Sequence, residues 1–324
     1  MTERVEASAP GKLMLFGEHA VVYGRPCIVT AVDHRMTVSA ELIGGKIIEI
    51  QAPDVGIGEH REEVEHLERE NAPKGVRFVS VAIRNFFKNF NLSSGLRIQT
   101  KSDFSSEFGF GSSSAVTVGT LKALSEIFEK RLDNKKLFDL SYKTILDVQG
   151  VGSGFDIAAA IWGGTVYFVA GGKKVEPLRT GKLPLVVGYT GVKADTPTLV
   201  RQVGEFYKGS REVVDRIFDS IENIVEAGRK ALENKEYKRL GELMDANQNL
   251  LEQLKVGSPE LARLISAAKA GGAFGAKLSG AGGGDCMIAF VPEMLRKNVE
   301  DEIEKSGGKV IEVRTNAEGV KIER

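Results

Sequence analysis

The chain has 324 residues, 42% of them hydrophobic and 27% charged, with 44 basic and 44 acidic side chains in balance. This is the composition of an ordinary globular protein, long enough for two domains and without the basic field that nucleic acid requires. Two cysteines, Cys27 and Cys286, exclude a disulfide framework, and no apolar run reaches the ~20 residues of a membrane span. With no apolar signal core at the N-terminus, the expectation is a cytoplasmic protein with neither nucleic-acid nor membrane partners.

Short apolar or alternating runs predict strands at 12–16, 27–32 and 35–42. Residues 59–72 are almost all charged and read as a surface helix. Apolar positions at Val79, Ile83, Phe86, Phe87 and Phe90 predict a helix over 76–91, and Leu96, Ile98 and Thr100 alternate as a strand. A Gly/Ser loop at 109–114 opens a helix with the stripe Val118, Leu121, Leu124, Phe128. A helix over 135–149 runs into a glycine turn at 150–154, and 165–169 with 174–177 form a hairpin around Gly171 and Gly172. A strand at 185–190 is followed by two long helical patterns (Val214 to Val225, Leu240 to Leu254). A third helix, capped by Ser258 and Pro259, ends at Gly271 and Gly272. Strands at 273–278 and 286–291, a helix at 292–306 and a strand at 310–313 complete the chain. The expected fold is α+β with domains 1–184 and 185–324, the second a ferredoxin-like sheet with helices on one face.

Glycine is over-represented, 37 residues or about 11% against ~7% in an average protein, and three glycine-bearing stretches stand out. These are SAPGKLMLFGEH (8–19), EFGFGSSSAV (107–116) and KLSGAGGGDC (277–286). In the second, Gly109, Gly111, Ser112, Ser113 and Ser114 precede a helix. Free amides and the helix dipole there suit phosphate, although a plain helix start after a flexible turn has the same pattern and no Walker lysine follows. The third is either a wide hairpin turn or a place where a ligand approaches bare backbone. Lys12 in its apolar strand, His19 and Asp156 each have an ordinary structural explanation when taken alone.

Together and in this order, the three stretches resemble the motifs of the GHMP kinase family, over essentially the whole chain. The resemblance implies a ribosomal protein S5 domain 2-like N-terminal domain, a ferredoxin-like C-terminal domain, and ATP and Mg2+ in the cleft between them. It implies phosphoryl transfer from ATP to the primary alcohol of a small molecule. The flanks 9–26, 188–203 and 247–290 are most similar to the branch that phosphorylates mevalonate. GVGSGFD (150–156) looks more like the branch acting on phosphomevalonate, for which Lys193 and Arg201 could hold the extra phosphate.

By that resemblance Asp156 accepts the alcohol proton, and Lys12 contacts both Asp156 and the attacking oxygen. Gly109, Gly111, Ser112, Ser113 and Ser114 hold the phosphates, Ser113 being also a magnesium ligand. Glu18, His19, Thr196, Gly280, Ala281 and Gly282 bind the acceptor, where the Glu18 carboxylate would repel an already phosphorylated substrate. Three positions depart from the pattern: Phe110 in the phosphate loop, expected to pack inward; Asp285, where a small residue is usual; and Ile145, where relatives carry a magnesium-binding Glu. Asp147, two residues further on, is the carboxylate expected to replace it, with Glu18 as the alternative. Related enzymes are often dimers, so a homodimer stays open. A non-catalytic protein on the same scaffold is the reading from another class; Lys12, Ser113 and Asp156 occurring together stand against it.

Overall fold

Near-continuous burial from Val5 to Phe16 marks a central strand. In the computed structural model, which describes residues 4–69 and 72–323, β1 (Arg4–Phe16) pairs antiparallel with β2 (Pro26–Ile43), from Arg4↔Glu41 to Phe16↔Ile28. The two strands expected at 27–32 and 35–42 are one. The register steps from Pro10↔Arg35 to Gly11↔Val32, so a bulge absorbs the polar residues between them.

β3 (Ile47–Ala52) and β4 (Ile57–Glu63) form the hairpin that the sequence reading missed. The surface helix expected over 59–72 is instead β4 followed by a 3-10 stretch, Val64–Arg69; residues 70 and 71 lie outside the described residues. The charges there are cross-strand partners on an edge strand, with Arg61 3.0 Å from Glu49.

Next come α1 (Arg77–Phe90), β5 (Gly95–Ser102), α2 (Ser112–Ile127), α3 (Asn134–Gln149), α4 (Phe155–Trp162), β6 (Thr165–Val169) and β7 (Lys174–Leu178). The helix α4 is short, follows a glycine turn directly, and was not anticipated.

The second sheet begins with β8 (Leu185–Tyr189). Four helices follow, α5 (Thr196–Gly209), α6 (Arg211–Glu233), α7 (Tyr237–Gln253) and α8 (Pro259–Ala270). Then come β9 (Gly275–Ser279), β10 (Cys286–Phe290), α9 (Arg296–Lys305) and β11 (Lys309–Ile311). The strands lie in the order β11-β8-β10-β9, all antiparallel, which is the ferredoxin-like arrangement with extra helices after its first strand. The sequence reading expected three helices there; α5 is the fourth, capped by the Asp195 carboxylate accepting from the Thr198 amide, with Pro197 in its first turn.

A last strand, β12 (Lys321–Glu323), returns to the first sheet and pairs with β1 at Ser8↔Lys321. The first sheet then runs β12-β1-β2-β5-β3-β4, with β6 and β7 attached to β2. Leu13, Leu15 and Phe16 of β1 share one buried cluster with Val187, Val225, Met244 and Ile288 of the second half. Strand β1 is therefore covered by both halves, and its centre, Lys12, lies where they meet.

Candidate active site

The loop before α2 is shaped by two left-handed glycines, Gly109 (φ 70°) and Gly111 (φ 79°), the second standing at the N-cap without a capping side chain. The amides of Ser112 and Ser113 have no acceptor within α2 and carry the positive end of its dipole, while that of Ser114 donates to the Gly111 carbonyl at 3.1 Å. Phe110 between the glycines is buried against Phe104 and Phe108, inward as expected.

Its carbonyl accepts the Lys12 amide at 3.0 Å, which ties the loop to β1. The Lys12 side chain is buried. Its ammonium donates to the Gly109 carbonyl at 2.9 Å and lies 3.3 Å from Asp156 Oδ1. Asp156 stands in the first turn of α4, behind Gly154 (φ 93°). Gly111 has to be bare: a Cβ there would meet both Asp156 Oδ1 and Lys12 Cε at 3.3 Å. Three separate parts of the chain thus bring a cation and a carboxylate to one helix N-terminus.

His19 is held at φ 58° after β1. Its Nε2 donates to the Ala281 carbonyl at 2.8 Å, and burial pushes its pKa below the usual 6.5, so a neutral ring keeps Nδ1 as an acceptor. Glu18 is placed differently from expectation. It is fully buried, does not line the cleft, and is ion-paired with Lys277 of β9, also fully buried. Burial raises the Glu18 pKa and lowers that of Lys277, each opposed by the charge of the other. Glu18 cannot face the acceptor, and the repulsion assigned to it from sequence falls with it.

In the third loop, Gly280 and Ala281 line the cleft but Gly282 does not. A Cβ on Gly282 would lie 2.0 Å from the Val256 carbonyl, and one on Gly284 2.5 Å from the Val192 carbonyl. These glycines make room for the protein's own backbone, not for a ligand. Thr196, at the start of α5, lines the cleft.

The cleft has two chambers. One, about 850 Å³, is bounded by Asp54, Lys74, Phe78, Asp103, Phe104 and Phe108 among others; the sequence carried no signal for it, because its wall is drawn from several unconnected loops. The other, about 290 Å³, holds Lys12, His19, Asp156, Thr196, Gly280 and Asp285. Ser106, Ser112, Ser113 and Lys193 line both, so the chambers join at the N-terminus of α2. Ser114 and Gly109 belong to the smaller one.

Asp147 does not belong to the cleft. Its carboxylate accepts from Arg84 and Asn85 of α1, both at 3.0 Å, and from Lys143 at 2.5 Å. Helical geometry explains this: Ile145 and Gln149, one turn apart, face the cleft, and a residue midway between them faces elsewhere. Among the described residues no three His, Cys, Asp or Glu side chains gather as a metal cage. Oxygens that line the smaller chamber include the hydroxyls of Ser112, Ser113 and Thr196 and the carboxylates of Asp156 and Asp285. Such a sparse, hard donor set fits magnesium held mainly by phosphate oxygens and water.

Known proteins share this architecture. The GHMP kinases N terminal domain matches residues 77–164, and the GHMP kinases C terminal domain matches residues 229–309. The mevalonate kinase of Thermococcus sibiricus is 37% identical over 99% of this chain and 98% of its own length. The crystal structure of the Methanococcus jannaschii mevalonate kinase superposes with a TM-score of 0.82 at 27% identity, covering 97% of this chain and 98% of that one. A Listeria innocua protein, Lin0012, superposes at 0.87 over 99% of both chains; at 24% identity this likeness concerns the fold alone. The chain belongs to the GHMP kinase family and is closely related to its mevalonate kinases.

Proposed function

We infer that this protein transfers the terminal phosphoryl group of ATP to the primary alcohol of mevalonate. The observation that carries the reading is the junction of the chambers: a nucleotide-sized space and a smaller one meet at free helix amides, with Lys12 and Asp156 on the smaller side. Phosphoryl transfer asks for positioning and charge stabilisation more than for covalent chemistry.

The amides of residues 111–113 and the α2 dipole hold the phosphates, with the Ser114 side chain at the wall of the smaller chamber. Asp156 takes the alcohol proton late in the transfer, because a carboxylate is too weak a base to ionise an alcohol beforehand. Lys12, 3.3 Å from Asp156 Oδ1, orients that carboxylate and stabilises alkoxide character on the attacking oxygen. His19 accepts a hydrogen bond from the acceptor through Nδ1, and Thr196, Gly280 and Ala281 complete the wall. Magnesium, held by Ser113 with Asp156 or Asp285, would neutralise charge on the phosphates.

We assign residues 1–184 to the nucleotide-binding domain and 185–324 to the acceptor side, with β12 crossing back to the first sheet. No described helix is long and apolar enough to cross a membrane. A cytoplasmic enzyme without nucleic-acid partners, working as a homodimer, is consistent with this reading.

ADP release followed with mevalonate and with phosphomevalonate tests the acceptor. Turnover with mevalonate is expected; turnover with phosphomevalonate alone would overturn the assignment.

A further inference from the structure

We propose that Lys193 is a phosphate-binding residue that reaches the phosphoryl group in transit, and that Asp285 is the positioning residue that holds it there. The inference rests on the kinase reading but concerns the nucleotide side of the reaction, not the identity of the acceptor.

Lys193 lines both chambers, which otherwise share only the serines 106, 112 and 113. It is exposed, and among the described residues it forms no hydrogen bond or ion pair. Lys12, the other ammonium at the junction, is committed to the Gly109 carbonyl and to Asp156. A phosphoryl group passing between the chambers carries negative charge on three oxygens, and Lys193 is the cation left to meet it.

The turn bearing Lys193 is held by Asp285 on both sides of the lysine, and by the Thr190 hydroxyl, which accepts the Val192 amide at 3.2 Å and donates to the Val192 carbonyl at 3.1 Å. The Asp285 amide donates to the Val192 carbonyl at 2.8 Å, and its carbonyl accepts from the Thr190 amide at 2.9 Å and the Thr190 hydroxyl at 3.0 Å. Its carboxylate Oδ1 accepts the Ala194 amide at 2.8 Å. Residues 192 and 194 are thereby fixed on either side of Lys193. The same carboxylate packs against the phosphate loop, where a Cβ on Gly109 would lie 2.5 Å from Oδ2. Asp285 adopts φ 55°, a conformation that glycine reaches without strain. An aspartate there costs conformational energy, and its carboxylate returns a contact joining the phosphate loop to the lysine turn. The distribution across both chambers separates this role from a second anion site for a phosphorylated acceptor, which would need the cation on the acceptor side alone.

The experiment is calorimetric titration of the full chain with magnesium AMP-PNP and with magnesium ADP, without acceptor, alongside steady-state kinetics. Lys193→Met should weaken AMP-PNP roughly 10-fold while leaving ADP nearly unchanged, because the lost contact is to the terminal phosphoryl. Its kcat should fall roughly 10²-fold. Asp285→Gly should produce the same selective loss in smaller measure, and adding it to Lys193→Met should cost nothing further. Asp285→Asn, which keeps an oxygen for the Ala194 amide and tolerates positive φ, should recover most of the Asp285→Gly loss.

Wild-type AMP-PNP affinity and kcat in Lys193→Met would overturn the proposal. Losses that multiply in the double variant would overturn the positioning role of Asp285. If the unaltered chain fails to phosphorylate mevalonate while Lys193→Met still loses AMP-PNP selectively, the acceptor assignment falls and this one stands.

Discussion

The loop at 109–114 and the loop at 279–285 look alike as strings, both rich in glycine and both next to a serine, yet the fold uses them in opposite ways. In the first, Gly111 keeps clear the space beside Lys12 and Asp156, at the junction of two open chambers. In the second, Gly282 and Gly284 receive the carbonyls of Val256 and Val192. Its flanks are bonded to β1: Ser279 Oγ accepts the Met14 amide at 2.9 Å, and Lys277 pairs with Glu18. One glycine loop borders the junction of the two chambers; the other, beyond the Gly280 and Ala281 that line the cleft, is a joint between the two sheets. Damage to the first should appear in turnover, and damage to the second in stability.

The largest effect sharpens the chemical side. Asp156→Asn should lower kcat by roughly 10³-fold while leaving ATP affinity and thermal stability near wild type, because the proposed mechanism uses the residue as a proton acceptor. Near-normal kcat in this variant would remove the proposed base. On the structural side, Lys277→Met leaves the Glu18 carboxylate buried without its partner and should cost about 3–5 kcal/mol, read by urea unfolding. Replacing both members by Glu18→Gln with Lys277→Met should cost less than the single change. If Lys277→Met folded normally but lost turnover, the division between joint and site would be wrong.

A smaller effect sets the two loops against each other directly. Gly282→Ala combines a left-handed backbone (φ 85°) with a collision against main chain, and should lower stability by roughly 2–5 kcal/mol. Gly111→Ala meets side-chain atoms at 3.3 Å that can shift by a few tenths of an ångström. Its stability cost should stay near 1–2 kcal/mol, while kcat falls roughly 10²-fold because Lys12 and Asp156 are displaced. Thermal melts and initial rates on the same preparations check both variants.

What could be read without coordinates follows the same division. The first loop was legible because a Gly/Ser run opening an apolar-striped helix has a local physical meaning, and Lys12, Ser113 and Asp156 do stand around it. The roles of Glu18 and Gly282 were misplaced because their partners, Lys277 and Val256, are distant in sequence, and nothing local announces a buried ion pair or a backbone collision. Asp147 failed for a simpler reason: a two-residue offset on a helix turns a side chain away from the cleft, toward Arg84 and Asn85. The charged stretch at 57–63 was misread because an edge strand with cross-strand ion pairs has the composition of a solvated helix. The strand order of the second sheet was within reach, since the alternation of its elements restricts the topology. The missed α4 is only eight residues long, too short for a periodic stripe to show, and the missed α5 buries Val203 alone.

The least of the expected effects concerns the contact by which the joint meets the site. His19 reaches from β1 to the Ala281 carbonyl, and burial depresses its pKa. Above pH 6.5 the ring is neutral in both the folded and the unfolded chain, and pH has no leverage through it. Below 6.5 the unfolded chain takes up a proton that the folded chain resists, so stability is lost progressively as pH falls through the folded value. His19→Asn tolerates the φ of 58° and carries no titrating group, so it should flatten this slope between pH 7.5 and 5.5 in urea unfolding. Carboxylates whose pKa is lowered in the fold, Asp147 and Asp195, lose their contribution only at lower pH and do so equally in both proteins. An unchanged slope in His19→Asn would mean that the ring takes up its proton in the folded state, and the Nδ1 acceptor assigned to it would then be a donor.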